Sequence, residues 1–501
     1  MAKKVADQLI ETLIESGIKR IYAVTGDSLN EVNDAVRRND NIEWVHVRHE
    51  EAGAYAATAE AQLNGIACCA GSSGPGHVHL INGLYDAQRS NSSVLAIAST
   101  CPTFEFGTSY FQETNTIRLF DDCSGYNVIA NTPMQCSRML QMALQHAIHK
   151  KEVAVLGLPG DVASAKAEES LTASKVLPSK TIYRPQDSEI EVFADLINSS
   201  EKITIYCGIG VKDAHKELIE LASKIKSPIG YSFRGKMAVQ YDNPYEVGMT
   251  GLLGLPSAYN SMHEADLLIL IGTDFPYQGF MPDNGLKIAQ IESRPERIGR
   301  RAKVDIALAG DAKDTLSALL PLVNDKDDDS FLKKQLEGYA KVKENLQNAA
   351  DHIGDVDAIA PEYIASLINR LADDDAIFTV DTGMCCVWGA RYIEATGKRE
   401  MLGSFSHGSM ANAMPMAIGA SFARPDQQVI AFCGDGGLSM MLGDLATIVQ
   451  YKLPVKIAVF DNHALGMVKL EMLVGGLPDW QTEMYNPDFA AVAAAMGMRA
   501  F

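Results

Sequence analysis

The run Cys433-Gly434-Asp435-Gly436-Gly437 directly follows an apolar segment of strand length, Gln428-Val429-Ile430-Ala431-Phe432. Glycines in such a turn let backbone amides approach a phosphate, and the start of a following helix favours its negative charge. An acidic side chain in the same turn would repel a phosphate unless a divalent cation stood between them. Magnesium asks for near-octahedral oxygen ligands and commonly joins one or two protein oxygens to phosphate oxygens. A second oxygen donor, Asn462, lies 27 residues after Asp435, in Phe460-Asp461-Asn462-His463. That spacing accommodates one crossover helix and one strand. Both turns would then leave the carboxyl ends of neighbouring parallel strands, where open α/β sheets bind ligands. Gly-Asp-Gly and Asp-Asn are also ordinary turn sequences. A further acidic pair, Glu50-Glu51 in Val47-Arg48-His49-Glu50-Glu51-Ala52-Gly53-Ala54, reads by itself as a solvated helix start whose charges complement the helix dipole.

The elements that must position these residues recur three times along the chain. At about 150 residues per domain, 501 residues suggest three domains. Val5 to Glu15 has helical apolar spacing and is stopped by Gly17. Arg20–Val24, Ile66–Ala70, Ser93–Ala98 and Val153–Pro159 are continuous apolar runs of strand length, as in a parallel sheet covered on both faces. An aperiodic stretch from about Lys166 to Asp187, with Pro178 and Pro185, reads as a linker. A second unit holds strands at Ile203–Cys207, Leu267–Ile271 and Ile288–Ile291, with a helix at Ala214–Lys226. Charged helical residues run from Asp325 to about Asn348, and a second linker ends near Pro361. The third unit has a helix at Glu362–Leu371 and strands at Ala376–Val380, Gln428–Phe432 and Val455–Phe460. The expected architecture is three doubly wound α/β domains, at 1–180, 181–335 and 336–501. Met498-Arg499-Ala500-Phe501 reads as a strand just beginning, so the third domain is expected to be cut short.

Composition narrows the classes further. Apolar residues make up 47% and charged residues 21%, which is globular usage. A net charge of −19 disfavours nucleic acid and anionic lipid as main partners. No apolar run reaches the roughly 20 residues of a membrane helix, and Met1-Ala2-Lys3-Lys4 leads into an amphipathic helix rather than a signal-peptide core. Nine cysteines without paired short spacing point to a reducing cytoplasm. Cys68-Cys69 and Cys385-Cys386 are adjacent pairs, unsuited to spaced zinc sites. His77 and His79 read as packing residues, and Asp327–Asp329 and Asp373–Asp375 as solvated turns.

Gly434-Asp435-Gly436 followed by Asn462 resembles the signature of thiamine-diphosphate enzymes. The resemblance implies magnesium bound by Asp435, Asn462 and the carbonyl of Ala464, with Gly434, Gly436 and Gly437 beside the diphosphate. Asp461 stands where the family often has asparagine, at a position that is not a ligand. Arg48-His49-Glu50 resembles the segment whose glutamate hydrogen-bonds the cofactor's aminopyrimidine, which makes Glu50 the activator and Glu51 structural. A buried carboxylate with a raised pKa suits such a proton relay. Gly408-Ser409-Met410-Ala411-Asn412 resembles the segment that props the cofactor into its bent form, with Met410 as the bulky residue. Thr25–Ser28 and Gly74-Pro75-Gly76 match loops of the pyrimidine-binding domain. The first and third domains become pyrimidine-binding and diphosphate-binding domains, which in this family face each other across subunits. A homodimer at minimum, and commonly a homotetramer, is implied.

Along nearly its whole length the chain is similar to FAD-containing pyruvate oxidases, most of all to the quinone-reducing type, pyruvate dehydrogenase (quinone). The segments carrying this are Arg234-Gly235-Lys236, Tyr241–Tyr245, Gly248–Gly254 and Gly272–Tyr277. Thr250, Gly251, Leu252 and Leu253, with Thr273, Asp274, Phe275, Pro276 and Tyr277, would line FAD in the middle domain. Glu292, where the family usually has Asp, would contact the flavin nucleotide. Phe111 and Gln112, in Tyr110-Phe111-Gln112-Glu113, match a segment near the flavin ring and reaction centre. Acetolactate synthase is the nearest competitor. Met467 is the synthase-like residue where oxidases carry a Phe implicated in electron transfer, whereas Glu471 is oxidase-like. Phe275–Tyr277 and Leu158-Pro159-Gly160-Asp161 also follow the oxidase.

The implied reaction is oxidative decarboxylation of pyruvate to acetate and CO2 through a hydroxyethyl adduct of thiamine diphosphate, with electrons passing to FAD and then to quinone or oxygen. A phosphate-dependent oxidase making acetyl phosphate and an acetolactate synthase-type carboligase are the alternatives. The expected location is the cytoplasm. Quinone-reducing members carry a C-terminal segment that binds the membrane surface, which this sequence lacks; with it, the full-length protein would sit against the inner face of the cell membrane.

Overall fold

A strand buried on both faces must be apolar at every position, and the continuous apolar runs of this sequence become the central strands of three sheets. The computed structural model describes residues 3–168, 176, 178–179, 181–283, 285–355 and 358–501. The first sheet has strands β1 (Arg20–Ala23), β2 (Glu43–His46), β3 (Ala67–Gly71), β4 (Val94–Thr100), β5 (Tyr126–Ile129) and β6 (Val153–Pro159), in the order β2-β1-β3-β4-β6-β5. All its pairings are parallel. The second has β7 (Ile203–Cys207), β8 (Ile229–Tyr231), β9 (Glu246–Met249), β10 (Leu267–Ile271), β11 (Lys287–Glu292) and β12 (Ile306–Ala309), in the order β12-β11-β10-β7-β8-β9, again parallel. A two-stranded antiparallel ribbon, β13 (Gly354–Asp355) and β14 (Ala358–Ile359), precedes the third sheet. That sheet comprises β15 (Ile377–Val380), β16 (Glu400–Gly403), β17 (Val429–Gly434) and β18 (Lys456–Phe460), ordered β16-β15-β17-β18.

The chain divides into two compact units. One comprises Met1–Lys180, Ile377–Cys385 and Leu402–Phe501, and the other Thr181–Ala376 and Cys386–Met401. In the first unit the helix Glu50–Asn64 packs along the helix Ala413–Ala423, and both are buried around most of their circumference. Their alanine-rich sequences make this possible, since small side chains let two backbones approach closely. At Gly419 a Cβ would stand 2.0 Å from the carbonyl oxygen of Ala56, so no side chain fits there. The first helix ends at Gly65, whose φ of +97° suits glycine.

Several expectations shift. The helix expected from Asp325 begins at Ser330 and runs to Ala350. The edge strands β2 and β5 carry polar and half-exposed positions, so their pattern lacks the continuous apolar run that marks the central strands. Met498–Phe501 does not form a strand: the Met498 N–H turns back to the Ala493 carbonyl at 3.0 Å, Phe501 is 96% exposed, and the Arg499 guanidinium lies over its ring. Of the linker expected from Lys166 to Asp187, positions 169–175, 177 and 180 lie outside the described residues, and a helix, Asp187–Ser199, begins at its end. All nine cysteines are buried. Among the described residues no helix is long and apolar enough to cross a membrane.

Candidate active site

Two groups of side chains come together in the first unit, both at loops leaving carboxyl ends of strands. The first surrounds Glu50, the first residue of its helix and only 6% exposed. His49 caps that helix, its Nδ1 accepting from the Glu51 N–H at 3.2 Å. The Glu50 carboxylate accepts from His79 Nδ1 at 2.9 Å, and the His79 ring stacks on His49 at 4.5 Å. One ligand atom from each of His49, Glu50 and His79 lies within 4.8 Å of the others, an arrangement able to hold a cation. The loop after β3 passes directly over the carboxylate: a Cβ on Gly76 would stand 3.2 Å from Glu50 Oε1 and 2.5 Å from Ser72 Oγ. Gly74, at φ +69°, admits the backbone of Gln112, whose carbonyl accepts from Ser73 Oγ at 2.9 Å. Gln112 is thus held beside the Glu50 loop, whereas Phe111 points outward at 76% exposure. His79 is therefore no mere packing residue, as its glycine-loop context suggested; it is a hydrogen-bond donor to Glu50. His77 is the packing residue of the two, fully buried, and burial pushes its pKa down to about 4.

The segment leading to Glu50 is pinned by the last third of the chain. Arg48 N–H donates to Asp444 Oδ1 at 2.8 Å, and His46 N–H to Tyr451 Oη at 2.7 Å. Burial raises the Asp444 pKa, while the Arg48 N–H and the Thr447 hydroxyl pull it back. Glu51 accepts from Asn82 Nδ2 at 2.8 Å. Asn82 also meets Tyr55 Oη and Ser409 Oγ, each at 3.1 Å, and its Oδ1 accepts from His407 Nε2 at 2.9 Å. Tyr55 donates to Ser409 at 2.6 Å. This network fixes Ser409, and its neighbour Met410 lies against Gly436.

The second group surrounds Asp435. The pairing of β17 with β18 sets Gly434 opposite Phe460, so the residues following each strand, Asp435 and Asp461, emerge side by side. Asp435 is 4% exposed at the start of a short helix, Asp435–Met440. Gly436 sits under Met410 and Met484, and a Cβ there would stand 3.0 Å from Met410 Cε. At Gly437 a Cβ would stand 2.3 Å from Asp381 Oδ2. Asp381 accepts from Ala413 N–H at 2.8 Å, and burial pushes its pKa up to about 7 against the pull of the Ala413, Gly434 and Asn412 N–H groups. Asn462 is exposed, and its Oδ1 accepts from Ala464 N–H at 3.1 Å. The Ala464 carbonyl accepts from Gly466 N–H at 2.8 Å. Asn486 Nδ2 lies between two carboxylates, 2.7 Å from Asp435 Oδ2 and 2.7 Å from Asp461 Oδ1. Carboxylates and amide oxygens are the hard donors magnesium prefers. By donor type, the Asp435 carboxylate, the Asn462 side-chain oxygen and the Ala464 carbonyl would suit magnesium. Met467 and Glu471 share one face of the helix Gly466–Val474, half-buried and exposed respectively.

The flavin-lining candidates lie in the second unit. Thr250–Leu253 follows β9, Thr273–Tyr277 follows β10, and Glu292 ends β11. The first two segments meet: a Cβ on Gly251, at φ +107°, would stand 3.0 Å from the Phe275 ring. Thr250, Thr273, Phe275 and Glu292 are buried, whereas Leu252 is 55% and Tyr277 38% exposed. Asp274 pairs with Arg300 at 3.1 Å and Arg301 at 3.4 Å. His79, Asn82, Asp381 and Asn486 went unnoticed as site residues in the sequence. Asn82 and Asn486 lie outside any local motif. The only available signal for Asp381 was its place just after an apolar strand.

The thiamine pyrophosphate enzyme N-terminal TPP binding domain matches residues 3–119, the central domain matches 190–319, and the C-terminal TPP binding domain matches 381–501. A protein of Bacillus subtilis (strain 168) named "Putative thiamine pyrophosphate-containing protein YdaP" is 35% identical over 502 residues, covering 100% of this chain and 87% of that protein. The "Pyruvate oxidase" of Lactiplantibacillus plantarum is 31% identical over 501 residues, covering 98% of this chain and 83% of its own. A "Probable acetolactate synthase large subunit" of Methanocaldococcus jannaschii is 32% identical over 527 residues, covering 99% and 87%. With three consecutive domain matches and relatives alike over nearly all of its length, the chain belongs to the thiamine pyrophosphate enzymes.

Proposed function

We propose that the protein is a thiamine-diphosphate- and FAD-dependent pyruvate oxidoreductase of the quinone-reducing type. It converts pyruvate and water to acetate and CO2, and the two electrons and two protons released pass through FAD to a quinone. When bound, thiamine diphosphate supplies the electron sink for decarboxylation and FAD the acceptor of the electron pair. The observation that carries the reading is the buried Glu50 carboxylate, hydrogen-bonded to His79 and closely covered at Gly76 by the loop after β3. Such a carboxylate holds or releases a proton at a fixed oxygen toward the cofactor's aminopyrimidine. Asp435, Asn462 and the Ala464 carbonyl would hold magnesium, which would neutralise the diphosphate. Met410, fixed through its neighbour Ser409, props the cofactor's bend.

The flavin assignment is supported by the topology of the second sheet. Read from β10, its order is that of a dinucleotide-binding sheet, with β10, β11 and β12 on one side of the switch point and β7, β8 and β9 on the other. Gly272 follows β10, and Glu292 ends β11 20 residues later, where such folds place an acidic residue on a ribose hydroxyl. Gly210 and Gly272 touch backbone to backbone at that point, with a Cβ on either only 2.6 Å from the other's Cα. The oxidase reading over the synthase rests on Phe275–Tyr277 and Glu471; Met467 and the equally similar acetolactate synthase favour a carboligase as the second reading. A homodimer at minimum, most fittingly a homotetramer, follows from the family resemblance.

The test supplies pyruvate and a redox dye to the purified protein loaded with thiamine diphosphate, magnesium and FAD. Dye reduction with stoichiometric acetate is expected. Acetolactate without dye reduction would replace the oxidase with the carboligase, and acetyl phosphate formed only with added phosphate would identify the phosphate-dependent reaction.

A further inference from the structure

Asn486 lies 24 residues beyond Asn462, in no motif that resembles a cofactor site. The structure nevertheless brings its carboxamide onto the carboxylate of Asp435. The segment carrying it is tied to the Asn462 turn: Leu465 N–H donates to Thr482 O, Met484 N–H donates to His463 O, and Ala464 bridges antiparallel to Glu483. Met484 from the same segment covers Gly436. Asn486 is thereby delivered by backbone pairing to the residues that present Asn462 and Ala464.

The orientation of its amide follows from chemistry. Asp435 Oδ2 and Asp461 Oδ1, both at 2.7 Å, are acceptors only, so the NH2 end must face them. Its two hydrogens are spent one on each carboxylate. The opposite end, Oδ1, is buried and has no hydrogen-bond partner among the described residues. Asp461 is held in turn by His463 N–H at 3.2 Å. One oxygen of Asp435 is therefore fixed by a donor anchored on a second carboxylate, which leaves the other oxygen presented in a single direction.

We propose that Asn486 is a positioning residue for the divalent cation: its amide locks the Asp435 carboxylate in the metal-binding orientation and keeps Asp461 from repelling it. Metal-binding carboxylates are themselves hydrogen-bonded, and loss of such a partner typically weakens metal affinity about 10–100-fold. The proposal rests on the magnesium reading of Asp435 and Asn462.

The experiment measures Mn2+ binding to the full chain, with saturating thiamine diphosphate, by the loss of the free-ion electron paramagnetic resonance signal. Asn486→Ala should weaken Mn2+ binding by about 10–100-fold, with an unchanged circular dichroism spectrum. Its activation constant for Mg2+ should rise while kcat at saturating Mg2+ stays near that of the unmutated protein. Asn486→Ser, which keeps one donor, should fall between the two; it also serves if the alanine variant does not fold. Equal or tighter Mn2+ binding by Asn486→Ala would overturn the proposal, and tighter binding would show that the amide competes with the cation. Absence of Mn2+ binding by the unmutated protein would instead overturn the magnesium reading itself, while retained binding by Asp435→Ala would move the cation elsewhere.

Discussion

His77 sits beneath the loop that covers Glu50, so its protonation should report on the integrity of that loop. The ring is fully buried, its Nδ1 lies 2.9 Å from the Ser99 carbonyl, and Nε2 meets Thr114 Oγ1. A carbonyl only accepts, so Nδ1 carries the proton and the neutral ring is satisfied. A Cβ on Gly71 would stand 2.6 Å from the His77 Cα, so the residue cannot move without moving β3. Burial lowers the pKa from 6.5 to about 4, with the Ser99 carbonyl opposing. The unfolded chain then takes up a proton near pH 6.5 that the folded chain refuses until about pH 4. The neutral ring's contribution is whole above about pH 6.5 and is lost as the pH falls toward 4. At about 1.4 kcal/mol per pH unit, the gap corresponds to about 3 kcal/mol. His77→Asn keeps an N–H for Ser99 but does not titrate, so it should be less stable at pH 7 by a packing loss. The stability gap between the two proteins should then shrink by about 3 kcal/mol between pH 7 and pH 4. The assay is thermal or urea unfolding of both proteins across that range, read as a difference because a chain of several domains need not unfold in two states. A gap that stays constant with pH, or a His77 pKa near 6.5 by NMR, would refute the reasoning.

Four further outcomes are expected. Glu50→Gln should lower turnover by about 10^2-fold or more while the Mn2+ binding lost in Asp435→Ala is retained; full activity would remove Glu50 from its role. Asp435→Ala should abolish Mn2+ binding in isothermal titration, because it removes the one buried carboxylate of that turn. Gly419→Ala should lower stability by about 1–3 kcal/mol, since its methyl would stand 2.0 Å from the Ala56 carbonyl; an unchanged melting temperature would show that the two helices part without cost. Glu292→Ala should lower flavin retention on gel filtration, followed by visible absorbance, and equal flavin content would remove Glu292 from the nucleotide site.

Much of the fold was legible because its central strands are buried on both faces. Ile203–Cys207, Leu267–Ile271 and Val153–Pro159 match their apolar runs end to end. The edge strands were not, because β2 and β5 face solvent and neighbours in a mixed pattern that reads equally well as loop. Of the candidate site, Asp435 and Asn462 stand out in the sequence by glycine and turn chemistry after strands. His79 did not, because its hydrogen bond to Glu50 depends on where the loop after β3 lies over a helix 29 residues earlier.

By itself the sequence marked which residues could carry the chemistry: a carboxylate after one strand and an amide after another, an acidic helix start, and glycines in a turn where backbone could approach a phosphate. Those are local properties, set by side-chain type and by the two or three residues around it. Only the tertiary structure decided which partners those residues have. The register of β17 on β18 placed Asp435 beside Asp461, the pairing of 482–484 with 463–465 brought Asn486 onto both, and Asp444 fixed the approach to Glu50 from almost 400 residues away. Hydrogen bonds depend on distances of about 3 Å, and chain segments reach them through packing that no window of the sequence contains.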